Sequence, residues 1–196
     1  SLEKEQRLRL KIFVVSESTL EHVWSFYKYI VKIIPPITGR VDIERELFSK
    51  LLKELTDLDK VKKTIGEFDY KNLPTGQLLE IILAGALANR ASDIHFEPGE
   101  KNIDLRYRID GLLHTVIDNL ASDAYPTLVS RIKLFSHMKL NITNEPQDGR
   151  FTIGVGTKEI EMRVSAIPSE FGETLVMRIL DPEAILISLK DLGLRN

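Results

Sequence analysis

A β-hairpin predicted within residues 160–180 constrains the fold of this chain more than any other feature of its sequence. Apolar and polar side chains alternate on both sides of a short turn, which is the pattern of two half-buried antiparallel strands. A four-residue turn places Pro168 opposite Glu173. In that register Arg163 lies directly opposite Arg178, because antiparallel partners move away from the turn in equal steps. The sequence therefore predicts two arginines side by side on the polar face of a sheet.

The facing arginines need an explanation, since two like charges directly opposite each other on a sheet are mildly destabilising, by about 1 kcal/mol or less in water. An anion bound between Arg163 and Arg178 removes that repulsion, and the planar guanidinium fork suits a phosphate group. The alternative needs no ligand: Glu161 lies diagonal to Arg178 in the same register and neutralises one arginine of the pair. Both interpretations stay open at this point.

Composition excludes several classes of protein. With 196 residues, 43% of them hydrophobic, the chain is long and apolar enough to bury a core. A net charge of −2 provides no general field for nucleic acid, so we expect no nucleic-acid partner. The absence of cysteine excludes disulfides and fits a reducing, cytoplasmic compartment. The longest apolar run, residues 81–88, is far shorter than the roughly 20 residues that cross a bilayer, so we expect no direct membrane insertion.

Residues 1–70 are predicted to form a small, mainly helical module. Ser18 and Glu21 have the spacing of a capping box at the start of its first helix. Two further amphipathic helices follow that helix. Trp24 and Tyr27 recur at helical spacing, which is typical of a core, and a docking surface for a partner is the alternative. Nothing in this module indicates catalytic chemistry.

Residues 71–181 are predicted to form an α+β domain with a mostly antiparallel sheet backed by helices. The dipeptide Asp110-Gly111 between two apolar runs is a strong signal for a two-residue hairpin turn. A helix with Pro126 in its first turn separates this hairpin from the later strands. Residues 182–196 are predicted to be a linker. Because the chain begins with Ser1 and ends in that linker, we expect it to be a fragment of a longer protein.

Three polar side chains on one predicted strand, those of Asp93, His95 and Glu97, are the strongest candidates for a metal site. Successive residues on one face of a strand lie about 7 Å apart, so the three side chains do not converge on one ion, and we expect no metal. Asp93 and Glu97 are instead predicted to pair with Arg106 or Arg108 on an adjacent strand. His95 is interpreted as a structural histidine with its hydrogen bonds satisfied.

Enzyme motifs are missing from the sequence. There is no G-x-S-x-G for a hydrolase triad, and no glycine is followed by lysine, which excludes a phosphate-binding loop of the G-x-x-x-x-G-K-[ST] type within these residues. We therefore predict no catalytic residues in this chain. Two further donors lie near the sheet and are weaker candidates for anion contacts: Arg150, which follows a Pro-Gln-Asp-Gly turn, and Arg131, on the flank of a helix.

Taken in order, five motifs resemble the second N-terminal domain of the bacterial type II secretion and type IV pilus assembly ATPases. They are ASDIHFEP at 91–98, RYRIDG at 106–111, SRIK at 130–133, PQDGR at 146–150 and MRVSAIPSEFGETLVMRIL at 162–180. The resemblance covers residues 73–194, and the first 70 residues resemble the family's more variable preceding domain only loosely. Asn144-Glu145 replaces the basic residue that the family usually has before PQDGR.

The resemblance implies a PAS-like domain joined by a linker to a RecA-like motor domain, in a cytoplasmic homo-hexamer that drives pilin or pseudopilin assembly. Its implied partners are that motor domain, the neighbouring subunits and the cytoplasmic part of an inner-membrane assembly protein, which holds the hexamer peripherally at the inner membrane. In the family two arginines of this domain reach the phosphates of ATP held by the motor domain, and by motif they match Arg163 and Arg178.

The catalytic parts of such an ATPase would lie beyond Asn196. We therefore expect no ATP hydrolysis and no bound cofactor in this fragment alone, whereas the full-length protein uses ATP with Mg. Two other functions are considered. One is a PAS-like sensor of a small ligand, against which the face of the sheet towards the helices is predicted to be filled with apolar side chains. The other is a pure docking domain, in which the arginines are surface charge.

Overall fold

The structure, a computed structural model, describes residues 15–25, 39–70, 74–155 and 157–181. In that part of the chain the helices are α1 Glu17–Ser25, α2 Arg45–Glu54, α3 Leu58–Gly66, α4 Thr75–Ala88 and α5 Tyr125–Phe135. The strands are β1 Arg40–Ile43, β2 Asp93–Pro98, β3 Ile103–Ile109, β4 Leu112–Ile117, β5 Gln147–Val155, β6 Lys158–Ser169 and β7 Gly172–Leu180.

The seven strands form one sheet in the order β1-β5-β6-β7-β2-β3-β4. All neighbours are antiparallel except β1 and β5, which are parallel. Helices pack against one side of this sheet, as Tyr107 illustrates: its hydroxyl donates a hydrogen bond of 2.7 Å to the carbonyl oxygen of Ile82 in α4. The predicted α+β class, with a mostly antiparallel sheet backed by helices, is confirmed.

The chain divides into two compact units, residues 1–36 and 37–196. In the first unit, the amide of Thr19 donates to Ser16 Oγ at 3.3 Å, so Ser16 caps α1. The capping box predicted at Ser18 is wrong, because Ser18 already lies inside the helix. Trp24 is exposed on α1, and Tyr27 lies outside the described residues.

In the second unit, β1 extends the sheet beyond β5, with Val41 opposite Ile153. Helices α2 and α3 pack against α4, and Val61 and Ile65 of α3 are fully buried. Residues 39–70 therefore share one core with the sheet. The shared core is visible in buried apolar residues, but nothing in the sequence of β1 indicates that its partner is β5.

Helix α4 is apolar around most of its circumference because it is covered on two sides. Tyr107 meets it from the sheet, and helices α2, α3 and α5 also contact it. The fit is close at Gly85, where an added Cβ would lie 3.0 Å from Val61 Cγ1 and 3.2 Å from the Tyr107 hydroxyl oxygen. None of the helices in the described ranges combines the length and the apolar character that a membrane crossing requires.

Both predicted hairpins are present. Asp110 and Gly111 have φ angles of 49° and 82°, the left-handed conformation that a tight two-residue hairpin needs. In the second hairpin, Arg163 of β6 lies opposite Arg178 of β7, as predicted, but Ser169 also pairs with Gly172, so the turn has two residues and not the predicted four. The predicted register is confirmed at every pair.

A buried ion pair fastens α5 to the end of this second hairpin. Lys133 Nζ lies 2.7 Å from Glu173 Oε1, and the two side chains are 1% and 9% exposed. The same ammonium donates to the carbonyl oxygen of Ile142 at 2.6 Å, and the Tyr125 hydroxyl donates to the Glu173 carbonyl oxygen at 2.6 Å. Burial, together with the charge of Glu173, raises the pKa of Tyr125, which stays a neutral donor.

We predict that Lys133→Ala lowers the free energy of unfolding by about 3–5 kcal/mol, because it leaves the Glu173 carboxylate buried without its partner. The double variant Lys133→Met with Glu173→Gln should recover much of that loss, since neither side chain is then charged. Lys50→Ala is the control: Lys50 pairs with Glu54 on the surface, so its removal should change little. Urea denaturation measures all three. Equal losses in the buried and exposed variants would contradict the prediction.

Gly149 in β5 passes so close to the segment after α5 that a Cβ there would collide with the backbone oxygen of Ser136. We predict that Gly149→Ala strongly destabilises the domain or moves β5, because a backbone atom cannot yield as a flexible side chain does. Gly66→Ala at the end of α3 meets nothing within 4 Å and should be neutral or stabilising by up to about 1 kcal/mol. Thermal unfolding of both variants checks the contrast.

Candidate anion-binding groove

Three arginines lie side by side on the face of the sheet opposite to the one that α4 and α5 cover. Arg150 of β5 is opposite Arg163 of β6, and Arg163 is opposite Arg178 of β7. Direct cross-strand partners share one face of a sheet, so these residues, here called the arginine row, run across three neighbouring strands. The sequence predicted the pair in the hairpin, and the pairing of β5 with β6 adds the third member.

The row ends at a buried carboxylate on the next strand. Asp93 of β2 is opposite Arg178, and only 3% of the residue is exposed. Arg178 Nε donates to Asp93 Oδ1 at 2.9 Å, while Arg108 Nε lies 3.3 Å from Asp93 Oδ2. Ser92 Oγ donates to the same Oδ2 at 2.8 Å. Asp93 therefore holds arginines from both of its neighbouring strands.

Asp93 stays ionised in this position. Burial alone would raise the pKa of its carboxyl, but the hydrogen bonds from Arg178 and Ser92 and the charges of Arg178 and Arg108 outweigh burial and lower that pKa. The hydrogen bond to Asp93 uses Nε, and the two terminal nitrogens of Arg178 carry four further N–H donors, so one guanidinium can be anchored and still donate to a ligand.

The members of the row keep most of their donors available. The side chains of Arg163 and Arg178 are 68% and 65% exposed. Arg163 Nε lies 3.6 Å from Glu161 Oε1, a distance too long for a strong hydrogen bond. Among the residues that the structure describes, none forms a hydrogen bond or ion pair with the side chain of Arg150. Glu161, the predicted alternative partner for one arginine of the pair, makes only this long contact, and makes it with Arg163.

The arginine row lies in an open groove of about 620 Å³. Asp148 and Ser165 line one side of it, joined by a short hydrogen bond from the serine hydroxyl to the carboxylate. Glu161 lines the other side, and Val176 contributes apolar surface. The groove therefore has cations along its centre and a carboxylate on each flank.

Arg131 is not part of this groove. It lies on α5, where its guanidinium stacks over the ring of Phe135 at 5.5 Å from the ring centre. Burial raises the pKa of the nearby Glu80, and the charge of Arg131 partly offsets that effect. Helix α5 packs on the apolar side of the sheet, with Tyr125 near Phe96, so Arg131 is separated from the arginine row by the sheet itself.

Two of the three residues considered for a metal pair with arginines instead. Asp93 pairs with Arg108, as predicted, and Glu97 Oε2 lies 3.2 Å from Arg106 Nη1, also as predicted. His95 differs from the prediction, since its Nε2 is buried and has no hydrogen-bond partner within the described residues. Burial and the charge of Arg108 lower the pKa of His95 and favour the neutral imidazole. In the described ranges no three acidic, histidine or cysteine side chains are placed to share a metal.

The hydrogen bond between Asp93 and Arg178 was not predicted from the sequence. The alternation in residues 91–98 showed that Asp93 faces the polar side, and its pairing with Arg108 followed from the adjacent hairpin. Contact with Arg178 depends on β7 lying beside β2, and these strands are about eighty residues apart in the chain. Local sequence patterns do not indicate pairing between strands so far apart, so Asp93 could not be predicted as the buried partner of Arg178.

Comparison with known proteins places these features in a family. The sequence model of the family described as "Type II/IV secretion system protein" matches residues 70–196. The chain is 40% identical over 121 residues to the putative type II secretion system protein E of Escherichia coli K12, a match that covers 62% of this chain and 24% of that protein. It is 36% identical over 157 residues to type II secretion system protein E of Pectobacterium carotovorum, covering 78% of this chain and 30% of that protein.

A third relative is the type II secretion system ATPase E of Vibrio cholerae, 37% identical over 121 residues, or 62% of this chain and 24% of that protein. A solved structure, the periplasmic sensory domain of the Campylobacter jejuni chemoreceptor Tlp1, is 15% identical over 77% of this chain and 63% of its own, with a TM-score of 0.26, too low to establish a shared fold. The chain spans between 24% and 30% of the length of the curated relatives named here. On the family match, which covers most of its residues, the chain belongs to the type II/IV secretion system proteins.

Proposed function

We propose that this chain is the N-terminal part of a secretion or pilus assembly ATPase and that Arg163 and Arg178 contact the phosphates of ATP held by a RecA-like motor domain. One observation carries the proposal: the two arginines are direct cross-strand neighbours, each about two-thirds exposed, on the face of the sheet opposite to α4 and α5. The curated relatives support the ATPase class, since one is named a type II secretion system ATPase E.

The proposal has two physical bases: Arg163 and Arg178 keep N–H donors that no described residue uses, and their like charges lie directly opposite each other. Each guanidinium offers five N–H donors, and within the described residues Arg178 uses its Nε on Asp93 while Arg163 has one loose contact with Glu161. Facing cations raise the free energy of the empty groove slightly. A phosphate between them removes the repulsion and gains charge-assisted hydrogen bonds, so the free energy of the closed, nucleotide-bound arrangement falls relative to the open one.

ATP binding in the motor domain then draws the two domains together, and hydrolysis or release lets them part. A ligand shifts such an equilibrium only by its differential contact with the two states, and the arginines supply contacts that exist in the closed state alone. In this proposal the motor domain holds the phosphate loop, the catalytic glutamate and bound Mg, as the resemblance to the secretion ATPases implies, and residues 1–196 contain no phosphate-loop motif. This chain therefore contributes to turnover without performing it.

The remaining parts of the proposal concern assembly. Residues 182–196 act as the linker to the motor domain, and the full-length protein works as a cytoplasmic homo-hexamer at the inner membrane. Residues 1–70 provide the docking surface for the cytoplasmic part of an inner-membrane assembly protein. A small-ligand sensor is less well supported, since Ile94, Phe96 and Tyr107 on the apolar face are fully buried against the helices.

We predict that Arg163→Ala with Arg178→Ala lowers the ATPase activity of the full-length protein by about tenfold or more. The estimate follows because each charge-assisted hydrogen bond contributes about 1.5–3 kcal/mol and 1.4 kcal/mol is about tenfold in rate. Hexamer assembly, measured by light scattering after size-exclusion chromatography, should be unchanged, since both side chains are largely exposed and the buried Asp93 keeps Arg108 and Ser92 as partners.

Arg106→Ala is the matched control for that experiment. Arg106 is on the same face of the sheet but already paired with Glu97 at 3.2 Å and with Asp104 at 2.9 Å. Its removal should leave ATP turnover within about twofold of the starting protein, because it has few donors to spare for a phosphate. Full activity in the double variant, or an equal loss in Arg106→Ala, would rule out the proposed role.

A further inference from the structure

We infer that the arginine row is a binding site for a linear triphosphate that lies across β5, β6 and β7, and that Arg150 makes it prefer a triphosphate to a diphosphate. The inference rests on the proposed function for its biological setting, but it concerns a property of this chain without any motor domain. Its chemical content is the class of ligand and the direction in which the ligand lies.

The length of the row indicates the length of the ligand. Arg150, Arg163 and Arg178 occupy three adjacent strands, and Asp93 on the fourth strand places a carboxylate where the run of cations ends. Neighbouring strands lie about 4.8 Å apart, so the three backbone positions span roughly 10 Å. An extended anion with several charged groups contacts all three guanidinium groups, whereas a single phosphate contacts two at most.

The flanks of the groove indicate the direction of the ligand. Glu161 lies two residues from Arg163 in β6, and Asp148 lies two residues from Arg150 in β5. Residues two apart in a strand share a face, so each carboxylate is about 7 Å from the row. An anion placed along the strands meets one of these carboxylates. An anion placed across the strands meets arginines only, so the arrangement favours a narrow chain of phosphates over a broad anionic surface.

Charge balance separates this site from a general polyanion surface. The groove is lined by three arginines and by the carboxylates of Asp93, Asp148 and Glu161, so the formal charge of its lining sums to zero. Long-range attraction is then weak, and recognition depends on direct contact with the guanidinium groups. This explains how an arginine-lined groove is compatible with a chain of net charge −2.

Arg150 is the member that confers selectivity. Arg178 is oriented by Asp93 and Arg163 is near Glu161, while Arg150 has no ion pair within the described residues and gives up no contact on binding. It is also at the end of the row away from Asp93. Removing one phosphate from a triphosphate that fills the row leaves one arginine without a partner, so the diphosphate binds more weakly.

The test is isothermal titration calorimetry of the purified chain with sodium phosphate, pyrophosphate and triphosphate at fixed ionic strength. We expect triphosphate to bind at least about tenfold more tightly than pyrophosphate, and phosphate to bind most weakly. Arg150→Ala should weaken triphosphate binding by about tenfold and change pyrophosphate binding by less than about twofold. Arg163→Ala should weaken both. Arg150→Gln, which keeps the length of the side chain without its charge, should reproduce the effect of Arg150→Ala.

Arg106→Ala is again the control, since its guanidinium is held by Glu97 and Asp104 outside the row. Equal affinities for pyrophosphate and triphosphate, no saturable triphosphate binding, or equal losses in Arg106→Ala and Arg163→Ala would overturn the inference. The proposed function fails separately. Triphosphate binding with unchanged ATPase activity in the double variant would refute that function alone, while a loss of ATPase activity without triphosphate binding would refute this inference alone.

Discussion

The register of β6 between β5 and β7 is the constraint on which the rest of the structure depends. Along β6 the side chains alternate between buried and more exposed positions, with Met162 and Val164 in the core and Arg163 on the open face. A slip of one residue would reverse every one of these positions and bury the arginine. The apolar core therefore holds the arginine in place, and the arrangement of the groove is a consequence of packing on the opposite face.

The two faces of the sheet differ, since one is apolar and packs against helices and the other carries the arginine row. Helices α4 and α5 bury the apolar side, and the buried pair of Lys133 with Glu173 fixes α5 to the hairpin that carries two arginines of the row. On the open face, Asp93 connects the strands on either side of β2 through Arg178 and Arg108. A carboxylate that is buried and ionised restricts Arg178 to few rotamers, which reduces the entropy that binding must remove.

Local patterns predicted much of this arrangement, and long-range pairings decided the rest. The hairpin register and the Asp110-Gly111 turn followed from period-two alternation and turn chemistry, which act over a few residues. The parallel pairing of β1 with β5 and the contact of Asp93 with Arg178 depend on strands far apart in sequence. Arg131 is a weaker candidate in the sequence because it lies on the flank of a helix near the sheet, but the face of the sheet on which that helix packs depends on contacts that the sequence does not show.

Some residues of the family motifs are explained by the fold, and others are not. Gly149 in PQDGR is needed because the backbone of Ser136 occupies the space of a side chain, and Lys133 in SRIK is needed as the partner of Glu173. The fold explains both residues completely. Arg150 ends PQDGR and Arg163 lies in the motif at 162–180, yet both are exposed, lie directly opposite each other and add like charge to one row. A pattern that costs free energy in the isolated domain and fills no space in its core is best explained by a ligand outside it, and an anion is the ligand that such a row fits.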